Sequence, residues 1–385
     1  MDNTYLLELI NEAQGRGGGL LLNLDNHPAA VVLTIDKYNQ LMTNIKSKMA
    51  NDQVTLTVPQ PREKQAGSGR AILVTGGAGY IGSHLIRHLI KAGFKVTTID
   101  NLSAGRKENL DPKARLIEGD LADANLLRDI FSQNNFEAVF HMAASIEVEE
   151  SVREPQKYFE NNVLNTAKLL RAMSESACRK IIFSSTAAVY GEQEHMPIEE
   201  SAPLRPNNPY GQSKLLAEEV IKYFCQYAGF SAVIFRYFNA CGFDFEGGIA
   251  PTHTSHLIPI VIDVAKGRRP VLKVYGGDYN TFDGTCIRDY VHVLDIVHPH
   301  ILALDKISSK AGFKIFNIGT GHGSSVKEVV NAASESLNKI IPMEVAPRRP
   351  GDAPMTVADN GKLQNELGYR LQYSDLPTII KTSWQ

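Results

Sequence analysis

The feature that most limits what this chain can fold into is Thr75-Gly76-Gly77-Ala78-Gly79-Tyr80-Ile81-Gly82, set directly after Arg70-Ala71-Ile72-Leu73-Val74. The short apolar run bounded by glycines reads as a strand buried on both faces, and the residues after the loop read as a helix over 83–92. Glycines at 76, 79 and 82 allow a tight turn and close approach of backbone to a pyrophosphate. The helix start behind them offers N–H groups and the positive end of its dipole. Asp100 closes the next predicted strand, 95–100, about twenty residues on. A carboxylate there accepts hydrogen bonds from an adenosine ribose and repels a 2′-phosphate, so NAD is expected rather than NADP.

Alternation then continues. Strands are predicted at 114–118, 138–141, 180–184 and 232–236, with helices near 124–132, 158–175 and around Tyr210. Strands alternating with helices of this length imply an α/β protein, a Rossmann-type doubly wound parallel sheet over residues 70–238. Beyond about Asn239 glycines and prolines break the pattern into shorter elements. Residues 239–385 are therefore expected to form mainly a smaller substrate domain over the sheet's carboxyl edge, with some segments returning to the first domain. Residues 59–69 have the proline, glycine and charge of a linker, which leaves 1–58 as a small α+β extension.

A second cluster carries chemistry. In Asn208-Pro209-Tyr210-Gly211-Gln212-Ser213-Lys214 a phenol and an ammonium stand four residues apart, on one face of a helix. A tyrosine ordinarily titrates near 10, about three units too high for a base at neutral pH, or roughly 4 kcal/mol. One unit charge ~5 Å away at an effective dielectric of ~20 supplies about 3 kcal/mol. Lys214 alone falls short on this arithmetic, and lysine with an oxidised nicotinamide ring suffices. YxxxK by itself is a common surface pattern. Downstream of a glycine loop, with Ser184-Ser185-Thr186 between, it makes Tyr210 and Lys214 candidate catalytic residues.

Composition removes other classes. Forty Lys and Arg stand against 42 Asp and Glu, which gives no electrostatic case for nucleic acid or an anionic membrane. No apolar run approaches the ~18 residues that span a bilayer, and the first residues lack the basic and apolar regions of a signal peptide. The four scattered cysteines form no C-x-x-C and read as reduced thiols of a cytoplasmic protein. His84/His88, His253/His256 and His298/His300 lack a third ligand, so no metal is expected, and His84 and His88 read as helix surface.

With Ser184-Ser185-Thr186-Ala187-Ala188-Val189-Tyr190-Gly191, Arg236-Tyr237-Phe238-Asn239, the segment 275–293 and Ala346-Pro347-Arg348-Arg349-Pro350-Gly351-Asp352, residues 70–385 resemble the extended short-chain dehydrogenase/reductase family. In that family the spacing G-x-x-G-x-x-G is typical, and within it the chain looks like the UDP-glucose 4-epimerases. The resemblance implies an NAD-dependent isomerase of galactose and nucleotide-sugar metabolism that interconverts UDP-galactose and UDP-glucose. It places NAD on Gly76, Gly79, Tyr80, Ile81, Gly82, Asp100, Asn101, Leu102, Ser103, Ala104, Gly105, Asp120, Leu121, Met142, Ala143, Ala144, Asn162 and Phe238, beside Tyr210 and Lys214. It places the UDP-sugar on Thr186, Asn239, His256, Leu257, Tyr275, Arg288, Arg349, Asp352 and Thr356. Two arginines can neutralise a diphosphate by forked hydrogen bonds, and a carboxylate can hold a ribose hydroxyl.

The implied chemistry gives the sugar 4-OH proton to Tyr210 while the C4 hydride passes to NAD+, with Thr186 bonded at O4. Turning the 4-keto sugar over before the hydride returns inverts C4. Two positions depart from the pattern: Ile146 replaces a lysine that some relatives place near the cofactor diphosphate, and His256 stands where some have asparagine. Thr356 falls where a tyrosine excludes N-acetyl groups and small residues admit them, so UDP-GalNAc and UDP-GlcNAc are expected as further substrates. Dehydratases of the same family need an acid pair after the threonine, where Ala187 and Ala188 stand. Epimerisation of another UDP-sugar and a non-catalytic NAD-sensing module are the alternatives.

In the extension, Tyr5, Leu6, Leu9, Ile10 and Ala13 share a helix face. Strands are predicted at 20–24 and 29–34 around a turn at Asp25-Asn26-His27-Pro28, then a helix over 36–46. This stretch is similar to the prevent-host-death antitoxin fold, a small dimerising module. Few basic residues precede Lys37, so a homodimer is expected rather than DNA binding.

Overall fold

A computed structural model describes the backbone of Gly19–Leu24 and His27–Leu33 and, from residue 69 on, all residues except 248, 250–255, 308–309, 350–352 and 385. The chain divides into two compact units, Met1–Gln60 and Pro61–Gln385. In the first, β1 (Gly19–Leu24) and β2 (His27–Leu33) pair antiparallel, with Leu24 opposite His27. The connection is thus two residues long, tighter than the expected turn over 25–28. The register shifts beyond Leu22, so that Asn23 faces Pro28, and a bulge is where a residue lacking an N–H is tolerated in a ladder. The expected helices of the extension, and the linker apart from Gly69, lie outside the described residues.

The second unit is built on a seven-stranded sheet, parallel throughout. β3 (Ala71–Thr75), β4 (Lys95–Asp100), β5 (Arg115–Glu118), β6 (Ala138–His141), β7 (Lys180–Thr186), β8 (Ser231–Tyr237) and β13 (Gly312–Ile318) lie in the order β13-β8-β7-β6-β3-β4-β5. Side chains alternate between faces. Ile72 and Val74 enter a core with Leu85, Ile86 and Leu89 of α1 (Tyr80–Lys91) and with Val293, Leu294, Ile296 and Val297 of α8 (Val293–Lys306). Leu73 enters the opposite core, with α2 (Ala124–Gln133), α5 (Asn165–Ser174) and α6 (Pro209–Tyr227). This is the Rossmann-type doubly wound fold that the alternation predicts.

Between β6 and α5 come two short helices, α3 (Val148–Arg153) and α4 (Pro155–Tyr158), and then a π-helical turn at Phe159–Leu164. The sequence reads there as one regular helix. A smaller body packs around Val261, Ile262, Val274, Val329, Val330, Ile379 and Ile380. It contains α7 (Leu257–Ala265), α9 (Val326–Leu337), α10 (Leu376–Ser383) and three short ladders. β10 (Leu272–Tyr275) pairs parallel with β15 (Met343–Ala346), β11 (Ile287–Arg288) lies between β14 (Ser324–Ser325) and β16 (Met355–Thr356), and β12 (Tyr290–His292) pairs with β9 (Asn239–Cys241). Strand β13 and helix α8 come from this half of the sequence but belong to the nucleotide sheet and its covering layer.

Candidate active site

The chain runs from β3 outward through β4 and β5, then returns to place β6 on β3's other side. Two neighbouring strands whose connections leave in opposite directions open a crevice at their carboxyl ends. A cavity of about 620 Å³ lies there, between Gly76 after β3 and Met142, Ala143 and Ala144 after β6.

The glycine loop is held by contacts that only glycine permits. Gly76 has φ +70, and a Cβ on it would meet the Ala143 backbone at 2.7 Å; one on Gly82 would overlap the Gly76 carbonyl oxygen and approach the Gly77 Cα at 2.9 Å. Helix α1 therefore starts hard against the strand end. Gly79 is its N-cap, without a side-chain cap, and the first turn carries no acidic residue. Gly79, Tyr80, Ile81 and Gly82 of that helix start line the cavity. Asp100 lies at the end of β4, 7% exposed, its Oδ2 accepting the Ala78 N–H and its Oδ1 the Leu102 N–H. Two backbone donors hold the carboxylate and leave further lone pairs for a ribose. An uncapped helix start, a glycine cradle and an anchored carboxylate fit a dinucleotide without a 2′-phosphate.

Most of the expected positions line this one cavity. Gly79, Gly82, Asn101, Ser103, Ala104, Gly105, Asp120 and Leu121 join the residues just named on the cofactor side. Thr186, Tyr210, Phe238, Asn239, His256, Arg288 and Thr356 line the same cavity. Leu102, Asn162, Lys214, Leu257, Tyr275 and Arg349 are not on its wall, and Asp352 lies outside the described residues. Asn162 is 2% exposed, and its amide is taken by the Ser145 backbone and the Ser213 hydroxyl. It positions rather than lines, whereas Asn161, one residue earlier in the π-helical turn, reaches the wall. Arg349 stacks at 4.0 Å on the Tyr275 ring with its Nε 4.0 Å from Glu149.

Sequence reasoning left unassigned Asn207 and Asn208 before Tyr210, Val148 and Val152 on α3, and Gly242 and Phe243 after β9, all on the wall. The asparagines could have been found, since Asn-Pro opening a helix is an N-cap signal; Asn208 caps α6 by accepting the Gly211 N–H. Gly242 and Phe243 carry no such signal.

The reacting pair differs from the sequence argument. Tyr210 is pushed up to about 12 by burial, partly offset by a hydrogen bond with Thr186 and raised further by the Glu147 charge. Lys214 is 2% exposed, with Nζ 4.3 Å from the centre of the Phe183 ring. Burial brings it down to about 7, and Glu218, one turn on, works the other way. Burial thus lowers the share of Lys214 that carries charge at neutral pH. The lysine's burial works against the field that the sequence argument draws from it. His84 is also corrected: it is wholly buried, bonded to the Tyr80 carbonyl and the Asp244 N–H, and not helix surface.

Beneath the pair, Glu218 accepts from Arg236 at 2.6 and 3.0 Å and from the Ser185 hydroxyl, and both charged groups are at most 1% exposed. A buried pair so satisfied holds its partners in place more than it stabilises the fold. Here it fixes Ser185 next to Thr186.

Lys214 makes stability depend on pH. Its folded value, about 7, lies below the ordinary 10.5, so between these limits the unfolded chain binds more protons and stability rises with pH. The penalty is complete below about pH 7 and fades towards 10.5. Lys214→Met is expected to unfold at higher urea than wild type, by a few kcal/mol at pH 7 and about half that at pH 9. Urea titrations at pH 7, 8 and 9 measure it, and a pH-independent gap would contradict this assignment.

Residues 72–319 match the NAD dependent epimerase/dehydratase family. The chain is 43% identical over 315 residues to the UDP-glucose 4-epimerase of Lacticaseibacillus casei, covering 81% of this chain and 95% of that protein. Its fold is similar to the crystal structure of UDP-glucose 4-epimerase from Brucella ovis in complex with NAD, with TM-score 0.79 and 40% identity over 82% of this chain and 98% of that one. It is likewise similar to the UDP-Glc/GlcNAc 4-epimerase of Campylobacter jejuni, with TM-score 0.72, 40% identity and the same coverage. With a family match across well over half its length, the chain belongs to the NAD dependent epimerase/dehydratase family.

Proposed function

We propose that the protein is an NAD-dependent UDP-glucose 4-epimerase, an isomerase interconverting UDP-galactose and UDP-glucose. The observation that carries this reading is that Tyr210, bonded to Thr186, shares one cavity with the glycine cradle and Asp100. Gly76, Gly79, Tyr80, Ile81, Asp100 and Asp120 would hold the dinucleotide. When bound, NAD would accept the C4 hydrogen with its electron pair and give it back, leaving no net redox change.

The chain's own residues manage the proton. Tyr210 Oη takes the proton of the 4-hydroxyl and later returns it, while Thr186 Oγ1 fixes the phenol and the sugar oxygen between them. Bringing a phenol from about 12 to a neutral-pH base asks for roughly 7 kcal/mol. Cationic charge from Lys214 and from bound ligand has to provide it, so the base is strong only once the site is filled. Arg288 lines the cavity with one guanidinium nitrogen bonded to the Ile287 and Ala353 carbonyls, and its cationic fork suits a diphosphate. Thr356 stands beside it, paired to Arg288 across β11 and β16, and leaves room for an acetamido group at the sugar's C2.

Two further readings belong to the same proposal. Among the described residues no helix is long and apolar enough to cross a membrane, and the cavity serves a soluble nucleotide sugar, which supports a cytoplasmic enzyme. Leu216, Tyr223 and Tyr227 form an exposed stripe on α6, 37, 47 and 55% exposed, at the i, i+7, i+11 spacing of a helix-packing seam. That supports a homodimer through this helix.

Purified protein is expected to convert UDP-galactose to UDP-glucose in a coupled assay, and no product even with NAD supplied would reject the reading. Tyr210→Phe should lower turnover by about 10²–10⁴ while NAD still binds; near-normal turnover would mean another base. Wild type is expected to act on UDP-N-acetylgalactosamine too, and Thr356→Tyr should cut kcat/KM for that substrate at least about tenfold more than for UDP-galactose. Equal losses on both sugars would point to general damage. Sedimentation velocity should give a dimer that Tyr223→Glu splits, and a monomeric wild type would remove that assignment.

A further inference from the structure

Helix α1 carries the glycine loop at its start, and its flank grips a second part of the cavity wall. Tyr80, His84, the adjacent Arg87 and His88, and Lys91 follow one another at helical spacing and form one stripe, and each reaches segment 242–247. The Tyr80 hydroxyl donates to the Gly242 carbonyl. His84 accepts the Asp244 N–H at 3.2 Å, so its other ring nitrogen carries the proton that goes to the Tyr80 carbonyl at 2.8 Å. Arg87 donates to the Gly247 carbonyl at 2.6 Å and lies 3.6 Å from the Asp244 carboxylate. His88 Nε2 is 3.0 Å from that carboxylate, and Lys91 reaches Glu246 at 2.6 Å.

Asp244 is 4% exposed, and a carboxylate so buried persists only where charge and hydrogen bonds compensate it. Burial works against ionisation, but hydrogen bonds from His88 and the Glu246 N–H, with the charges of His88 and Lys91, outweigh it and hold the group well below the usual carboxylate range. At the other end of the segment, Gly242 and Phe243 are on the cavity wall beside Tyr80. One helix therefore holds both the cofactor cradle and the wall beside it.

We propose that Asp244 is a positioning residue that locks segment 242–247 to the flank of α1 and so slows escape of the dinucleotide. The inference rests on the NAD-dependent reading above. Without the Asp244 charge the segment keeps its covalent ends but loses its central anchor, and the wall beside the glycine loop opens more often.

The test uses the full chain loaded with NAD, as wild type, Asp244→Asn, His88→Gln and the double variant. Release is followed by trapping with an excess of a fluorescent NAD analogue, alongside the melting temperature of the NAD-free proteins. Release is expected at least tenfold faster in Asp244→Asn and three- to tenfold faster in His88→Gln, with the double variant no faster than Asp244→Asn because both remove one tether. A merely structural Asp244 would lower the melting temperature and leave the release rate of the folded fraction unchanged, which overturns the proposal. Effects that multiply in the double variant overturn the shared tether. Should Asp244→Asn fail to fold, partly exposed His88→Gln gives the same readout. A wild-type chain that takes up no NAD overturns the functional reading and this inference with it, whereas variants that release at the wild-type rate overturn this inference alone.

Discussion

The site depends on how closely helix α1 approaches the carboxyl end of β3. Strand and helix are joined by four residues, and the turn closes only because no Cβ intrudes at Gly76 and Gly82. That proximity aims the uncapped helix start into the crevice between β3 and β6. It also fixes the direction of the whole α1 stripe, and with it the wall at 242–247. A methyl group at position 82 would move the helix, the cradle and the adjoining wall together.

A second constraint is the burial of Lys214. An ammonium 2% exposed against the Phe183 ring is unfavourable for folding. The fold accepts it because Glu218, Arg236 and Ser185 form a satisfied polar network directly beneath. His141, on the other side of Phe183, is kept neutral by burial, down to about 3, with Lys214 adding to the effect. No second positive charge competes there.

Much of this was legible in the sequence, for physical reasons. Buried parallel strands are short apolar runs, so β3, β4 and β6 appear within a residue of their expected bounds. Asp100 and Tyr210 sit at fixed offsets from such signals. What could not be read depends on contacts between distant segments. The π-helical turn at Phe159–Leu164 is sustained by Asn162 bonding Ser145 and Ser213, and no local propensity encodes it. The titration of Lys214 is set by its burial, with Glu218 opposing. His84 and His88 look like surface residues until segment 242–247 is laid across them.

Strand β13 has a consequence for how the protein is made. It is the edge neighbour of β8, and Phe316 on it packs 5.9 Å from Phe235; helix α8, which covers α1 and the same core, is also encoded late. When the ribosome has delivered everything up to β8, the nucleotide sheet still has an open hydrogen-bonding edge and an uncovered apolar face. Such an edge invites pairing with other chains. The cofactor half therefore cannot finish as an independent unit, and the nascent chain stays exposed to misassembly for about eighty residues more.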